Sequence, residues 1–427
     1  MSTGQKMYDL ATRLYPICRS ITGDGVRQTL AILKEYIPEL EVHEVPSGTK
    51  VFDWTVPKEW NIRDAYIEDE AGNRIIDFKE HNLHVVGYSL PMDEWMELDA
   101  LKEIIYTQPD QPDVIPYVTS YYKERSGFCM TQKQKDSLKP GKYHCVIDST
   151  LESGHLTYGE AVIPGESNQE IFLSTYICHP SMANNECSGP ALATYLADWV
   201  RTHNHKYTYR FIFIPETIGA ITYLSSHLPY MKEHVLAGFN LTCVGDNRTY
   251  SHMSSRYGDN LADITLRNVL QYHYPNYDEY DFLERGSDER QFTAPGVDLP
   301  MCTFSRSLFH KYPEYHTSAD DLSIISPEGL QGSFDVLTQC FRVLEYNKKY
   351  RINVLCEPQL GPRGLYPSIS QKGAALTDEV RKITDFIAYA DGRNTLIDIS
   401  NRIHFPAVDL IDTVEKLTAA GLLDIVE

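Results

Sequence analysis

Apolar residues recur at helical spacing from the start of the chain. Met7, Leu10, Leu14 and Ile17 mark one amphipathic helix, Val26, Leu30, Leu33 and Ile37 a second, and SITGDG breaks the pattern between them. After Pro46 the texture changes to short strand-like runs (TKVFDWTV, AYIEDE, RIIDF, LHVVGYSL) separated by Pro57 and by Ala71, Gly72 and Asn73. This predicts an inserted β-rich unit over residues 46–132 with its own small core. From Lys142 onward, runs of strand length (YHCVIDST, EIFLSTYI, YRFIFIP, LAGFNLTCVG, VDLPMCTFS) alternate with the helical stretches SGPALATYLADWVRTH and LADITLRNVLQY. That alternation predicts an α/β domain, residues 1–45 and 133–356, whose sheet is largely parallel and covered on both faces. Functional groups are then expected in loops at the carboxyl ends of its strands. EPQLGPRGLYPS reads as a linker. Beyond it, residues 371–427 hold three helical segments, 380–390, 395–403 and 406–420, and the short strand-like GLLDIVE.

Composition narrows the function classes. A chain of 427 residues with 42% hydrophobic side chains can bury two or three cores, which excludes global disorder. No apolar run reaches about 18 residues, and MSTGQKMYDLATRLYP has none of the segments of a signal peptide, so a cytoplasmic protein without membrane contact is expected. The nine cysteines are scattered, odd in number and free of CxxC pairs, as buried thiols of a reducing compartment would be. A net charge of −20 argues against nucleic acid as the main partner. GDG at Gly23 to Gly25 has neither the spacing nor the context of a nucleotide loop, and the serine-hydrolase elbow GxSxG is absent.

Four expected strand-end loops carry unusual polar residues. STYICHPSMANNECSGP runs into His179, then Asn184, Asn185 and Glu186, with Ser188, Gly189 and Pro190 opening a helix. FIFIPETIGA places Glu216 after an apolar strand, TCVGDNRTYSH places Asp246 just past another, and PEYHTSADD puts His316 ahead of Asp320 and Asp321. Taken singly, each has a plain structural reading, as a helix cap, a turn or a hydrogen-bonded histidine. Together, imidazoles and carboxylates at successive ends of one parallel sheet point to a zinc site with a glutamate free to act as a base.

The order and local wording of these loops resemble the zinc aminopeptidases of the bacterial leucyl-aminopeptidase type. CHP matches at His179, NECSG from Asn185, PETIG at Glu216 and YHTSAD at His316. RGSDERQFTAPGVDLP also resembles a family stretch through Ser287, Asp288, Phe292 and Gly296. More closely, nearly the whole chain resembles a bacterial family, often labelled polysaccharide-biosynthesis or aminopeptidase-like, with an aminopeptidase-like domain, a β insert and a winged-helix tail. The resemblance implies a phosphorylase-like three-layer α/β/α sandwich, with Glu216 as general base and His179 and His316 as metal ligands.

The departures bear on the chemistry. Asn185 stands where the family's bridging Asp belongs, Thr217 where a second Glu belongs and Thr242 where a later Asp belongs, with Asp246 four residues on. The expectation is therefore about one zinc ion per chain, held by His179, His316 and either Asp246 or Asn185, with Glu186 a further candidate. The expected reaction is hydrolysis of a terminal amide or peptide bond in a small substrate. A binding protein on a degraded site is the first alternative, and a regulator acting through the tail is the second. The segment 406–420 carries Asp409, Asp412 and Glu415 against Lys416, which favours protein contact or self-association of the tail over DNA binding.

Overall fold

The computed structural model describes residues 1–121, 123–366 and 378–426. Its centre is an eight-stranded sheet in the order Glu41–Pro46, His155–Ile163, Tyr207–Ile214, Ser167–Tyr176, Val235–Leu241, Met301–Ser305, Ser251–Met253, Asp278–Tyr280. The four middle strands are parallel, while the strands His155–Ile163 and Ser251–Met253 join them antiparallel. Parallel pairing thus runs through the middle and recurs between Ser251–Met253 and Asp278–Tyr280 at one edge.

The middle strands read as continuous apolar runs because both faces are covered. On one face Ile171, Leu173, Tyr209, Phe211, Phe213 and Phe239 pack against the helices Thr3–Leu14, Ser188–Thr202, Leu261–His273 and Pro327–Tyr346. On the other, Phe172, Tyr176, Ile212, Ile214 and Met301 share a core with the helix Ile218–His234 and with the inserted unit. This alternation of side chains along each strand generates the three layers.

The insert is longer than its sequence texture suggested. Its four-stranded sheet runs Arg74–Asp77, Glu59–Asp69, Lys142–Glu152, Met92–Glu97, so YHCVIDST belongs to the insert and not to the central sheet. LHVVGYSL is mostly loop, and Met92–Glu97 supplies the strand instead. Two segments of the insert, 54–57 and 111–121, reach the sheet's carboxyl edge. Residues 111–118 zip onto the loop of His316, where Tyr117 N–H donates to His316 O at 2.9 Å and Ser318 N–H to Ile115 O at 2.8 Å.

The tail holds the helices Asp378–Tyr389, Leu396–Ile403 and Ala407–Ala419 in a three-stranded sheet with Lys349–Ile352, Asp391–Thr395 and Leu423–Val426. Its first strand therefore precedes the Pro/Gly stretch, and the expected boundary at 371 lies outside the described residues. A linker would leave few contacts between the tail and the main domain, yet the two pack closely. Phe386, Leu396, Leu410, Ile411 and Leu417 are continuous with the main core. Asn268 fastens the two, donating to Ser400 Oγ at 2.9 Å and accepting from Ala407 N–H at 3.1 Å. No described helix is long and apolar enough to cross a membrane.

Candidate functional site

Four loops meet at the carboxyl edge of the parallel strands, and each bends through a non-glycine residue with positive φ: Ser181 (42°), Thr217 (63°), Cys243 (53°) and His316 (56°). Such backbone costs about 1–3 kcal/mol per residue and gathers at functional sites. A single wide turn, Ala183–Cys187, opens the helix Ser188–Thr202. Gly189 lets that helix approach the sheet, because a Cβ there would lie 2.2 Å from Thr175 Oγ1.

His179 is buried and doubly held by Glu186. One carboxylate oxygen, Oε2, accepts from the His179 backbone N–H at 3.0 Å and from Nδ1 at 3.1 Å. The other faces Arg19 Nε at 3.2 Å. Arg19 is fully buried and also donates to His179 O at 3.0 Å and Leu14 O at 2.8 Å. With Nδ1 committed, Nε2 of His179 is the free nitrogen, 3.8 Å from Glu216 Oε2. Burial opposes charging His179, but the Glu186 hydrogen bond and the charges of Glu216 and Glu186 outweigh it and raise its pKa. The His316 ring lies 5.3 Å from that of His179, centroid to centroid, with Tyr117 5.0–5.2 Å from both. Burial, with His179 and His310 nearby, pushes the His316 pKa well below the ordinary range and keeps it neutral. Its Nε2 is buried without a hydrogen-bond partner.

A neutral chain stands where the resemblance implies carboxylates. Asn185 Nδ2 donates to Tyr176 Oη at 2.7 Å, and Tyr176 Oη lies 2.5 Å from Thr242 Oγ1. Asn185 Oδ1 is buried and unpartnered. Asp246 is engaged elsewhere. Its carboxylate accepts from Asn184 Nδ2, Ser307 N–H, Ser307 Oγ and Arg248 N–H, all at 2.9–3.0 Å. Four donors leave it little capacity for a metal, so Asp246 ties three loops together and does not join the histidines. Glu186, likewise, sits behind His179 on the Nδ1 side. Asp320 binds the backbone N–H groups of Asn184 (2.6 Å) and Asn185 (3.0 Å), and burial lifts its pKa to about 6.

In front of His179 lies a pocket of ≈ 270 Å³ lined by Trp54, Pro57 and Tyr121 from the insert and by Glu216, Thr217 and Arg290. Thr217 N–H donates to Asp288 Oδ1 at 2.7 Å, and Arg290 Nη2 donates to Thr217 Oγ1 at 2.5 Å. Burial, reinforced by the Glu216 charge, pushes the Asp288 pKa well above the carboxylate range.

The structure thus brings together His179, His316, Glu216 and, through Tyr176, Asn185. Among the described residues, two groups of potential ligand atoms lie within 4.8 Å of one another. They are Cys178–His179–Glu186 and His252–Asp263–Cys302, and the second is built around Asp263, which caps the helix Leu261–His273. Arg19, Tyr117, Tyr121, Trp54 and Arg290 escaped sequence reasoning. Of these, Arg290 lies inside the RGSDERQFTAPGVDLP stretch and Arg19 opens RSITGDGVRQTLAIL, which resembles the first helix of the same fold.

The family model described as Domain of unknown function (DUF4910) matches residues 8–347, and a winged helix-turn-helix model matches 348–425. A Clostridium acetobutylicum protein, provisionally described as a polysaccharide biosynthesis protein with an aminopeptidase-like domain, is 47% identical over 93% of this chain and 91% of its own length. A crystal structure from the same organism, provisionally described as a peptidase, superposes with TM-score 0.93 at 44% identity, covering 99% of this chain and 97% of that one. A zinc aminopeptidase from Bacillus subtilis shares the fold at TM-score 0.56 and 12% identity, covering 79% of this chain and 93% of its own. The chain therefore belongs to the DUF4910 family, with the fold of the zinc aminopeptidases and a winged helix at its end.

Proposed function

We propose that the protein is a zinc-dependent hydrolase of the aminopeptidase type, cleaving a terminal amide or peptide bond of a small substrate with a single metal ion. The observation that carries this reading is the pair of imidazoles whose Nε2 atoms make no hydrogen bond: that of His316, buried, and that of His179, 3.8 Å from the Glu216 carboxylate, with the two rings 5.3 Å apart. An unsatisfied buried nitrogen is costly to leave unpaired, and neutral imidazole is a good zinc donor, so the donor set fits the metal. Asn185 Oδ1, also buried and unpartnered, supplies a third, neutral donor.

Bound there, zinc would polarise a substrate carbonyl and acidify water. Glu216 takes the proton from the attacking water and delivers it to the leaving amine. Glu186, braced by Arg19, fixes the tautomer and orientation of His179, as carboxylates behind metal-bound histidines do. The neutral Asn185–Tyr176–Thr242 chain supports one ion over two, because a second dication would lack carboxylates to balance it. Trp54, Pro57 and Tyr121 narrow the pocket to small substrates.

The test is Glu216→Gln, which keeps the shape and removes the base. Hydrolysis should fall about 10²–10⁴-fold with zinc retained. Equal activity in the variant would remove Glu216 from the mechanism. The same neutral chain gives a second reading some support, a binding protein that has lost turnover, and absence of hydrolysis with zinc fully loaded would favour it. Regulation through DNA gains no support from the tail, where Val408, Ile411 and Val414 are buried and Lys416 pairs with Asp412 and Glu379.

A further inference from the structure

The pocket in front of His179 holds a guanidinium that, among the described residues, has no ion-pair partner in contact. Arg290 lines it beside Glu216, yet no carboxylate lies within the 4.0 Å of an ion pair to Arg290 among the described residues. Its Nε is buried and has no acceptor, and the acceptor bound to Nη2 is the neutral Thr217 hydroxyl. The neighbouring acids make no hydrogen bond or ion pair to it, although the Arg290 charge acts on Asp288 from a distance and opposes the rise of its pKa on burial. Asp288 binds the Thr217 N–H, and Glu289 accepts from the Gly286 and Ser287 N–H groups at 2.7 and 2.9 Å. Buried or half-buried arginines are ordinarily matched to an anion, because the fork of donors is left unsatisfied otherwise. Thr217 occupies the position where the resemblance implies a metal-binding carboxylate. The chain therefore presents a fixed cation there, held by a threonine.

We infer that Arg290 is a specificity-determining residue that receives a carboxylate of the substrate, so that the preferred substrates are amides bearing a carboxylate next to the scissile bond, such as N-acyl amino acids or dipeptides. The inference rests on the hydrolase reading for the position of the scissile bond, but the anion site itself does not depend on turnover. Planar carboxylate suits the guanidinium fork, while Glu216 in the same pocket disfavours a dianion such as phosphate. A volume of ≈ 270 Å³, below the roughly 300–1,000 Å³ of drug-sized sites, suits a substrate of this size. Pro57, Ile21 and Ile218 supply an apolar wall for the rest of it.

The test is a calorimetric titration of the full-length protein with N-methylsulfonylglycine, whose sulfonamide is not hydrolysed as an amide is, and with its carboxamide counterpart. The acid should bind about 10-fold or more tightly than the carboxamide. Arg290→Met should abolish that preference, with carboxamide binding retained, and Arg290→Lys should keep part of it. Equal binding of the two probes, no binding of either, or a preference surviving in Arg290→Met would overturn the inference. Inorganic phosphate binding as tightly as the acid would overturn the carboxylate assignment. Should Arg290→Met lose its fold by circular dichroism, the loss of preference is read from Arg290→Lys, and an undiminished preference there with a full-strength carboxamide complex counts against the fork geometry. A zinc-loaded wild type that prefers the acid but hydrolyses neither N-acyl amino acids nor dipeptides would refute the hydrolase reading and leave the anion site standing.

Discussion

Glu186 grips His179 at two points through one oxygen, Oε2, which lies 3.0 Å from the backbone N and 3.1 Å from Nδ1. The arrangement sets the histidine tautomer and leaves Nε2 to face the pocket. Glu186→Gln presents one oxygen and one NH₂, so it can keep the shape but holds the imidazole less firmly. Zinc affinity, measured by competition with a chelating dye, should fall about 10- to 100-fold. Unchanged affinity would mean that Glu186 serves only to neutralise Arg19.

What could be read in the sequence follows from what is local. His179 and Glu216 could be picked out because each lies just past an apolar strand, and His316 through the YHTSAD wording of the longer loop that follows Met301–Ser305. The three tail segments were legible because buried residues such as Ile397, Ser400 and Ile403 repeat at helical spacing. Asp246 misled because its position at a strand end is the same whether it binds a metal or four hydrogen-bond donors. Arg19, Tyr117 and Arg290 reach the site from a helix junction, the insert and a short helix, and no periodicity or spacing links them to it. The strand Lys142–Glu152 misled too, since a buried strand reads alike in either sheet.

The tail offers a second prediction. Its core is continuous with that of the main domain, and Asn268 would lose its hydrogen bonds to Ser400, Asn401 and Ala407 if it were removed. A chain ending at residue 347 should therefore melt several degrees below the full-length protein and expose apolar surface that binds a hydrophobic dye. Full-length protein should unfold in one transition. Two separate transitions, or an unchanged midpoint in the shortened chain, would show the tail to be independent.

Glu59 predicts a pH dependence remote from the site. It joins the second helix to the insert, pairing with Arg27 and accepting from His155 N–H at 2.9 Å. Burial alone would raise its pKa, but Arg27, the His155 N–H and Asn61 outweigh it and hold the group at about 2. A depressed carboxyl stabilises the fold above its unfolded value and loses that contribution as pH falls through the folded one. Glu59→Gln should therefore have a lower urea midpoint at pH 7. The gap should narrow below about pH 4.5 and close near pH 2. A gap independent of pH would assign the loss to packing.

The central claim is that His179 and His316 hold one zinc ion, and elemental analysis of protein purified without chelators tests it most directly. Wild-type protein should carry close to one zinc per chain, and His179→Ala with His316→Ala should carry almost none while remaining folded by circular dichroism. Metal-free wild-type protein that takes up no added zinc, or equal zinc in the double variant, would contradict the account.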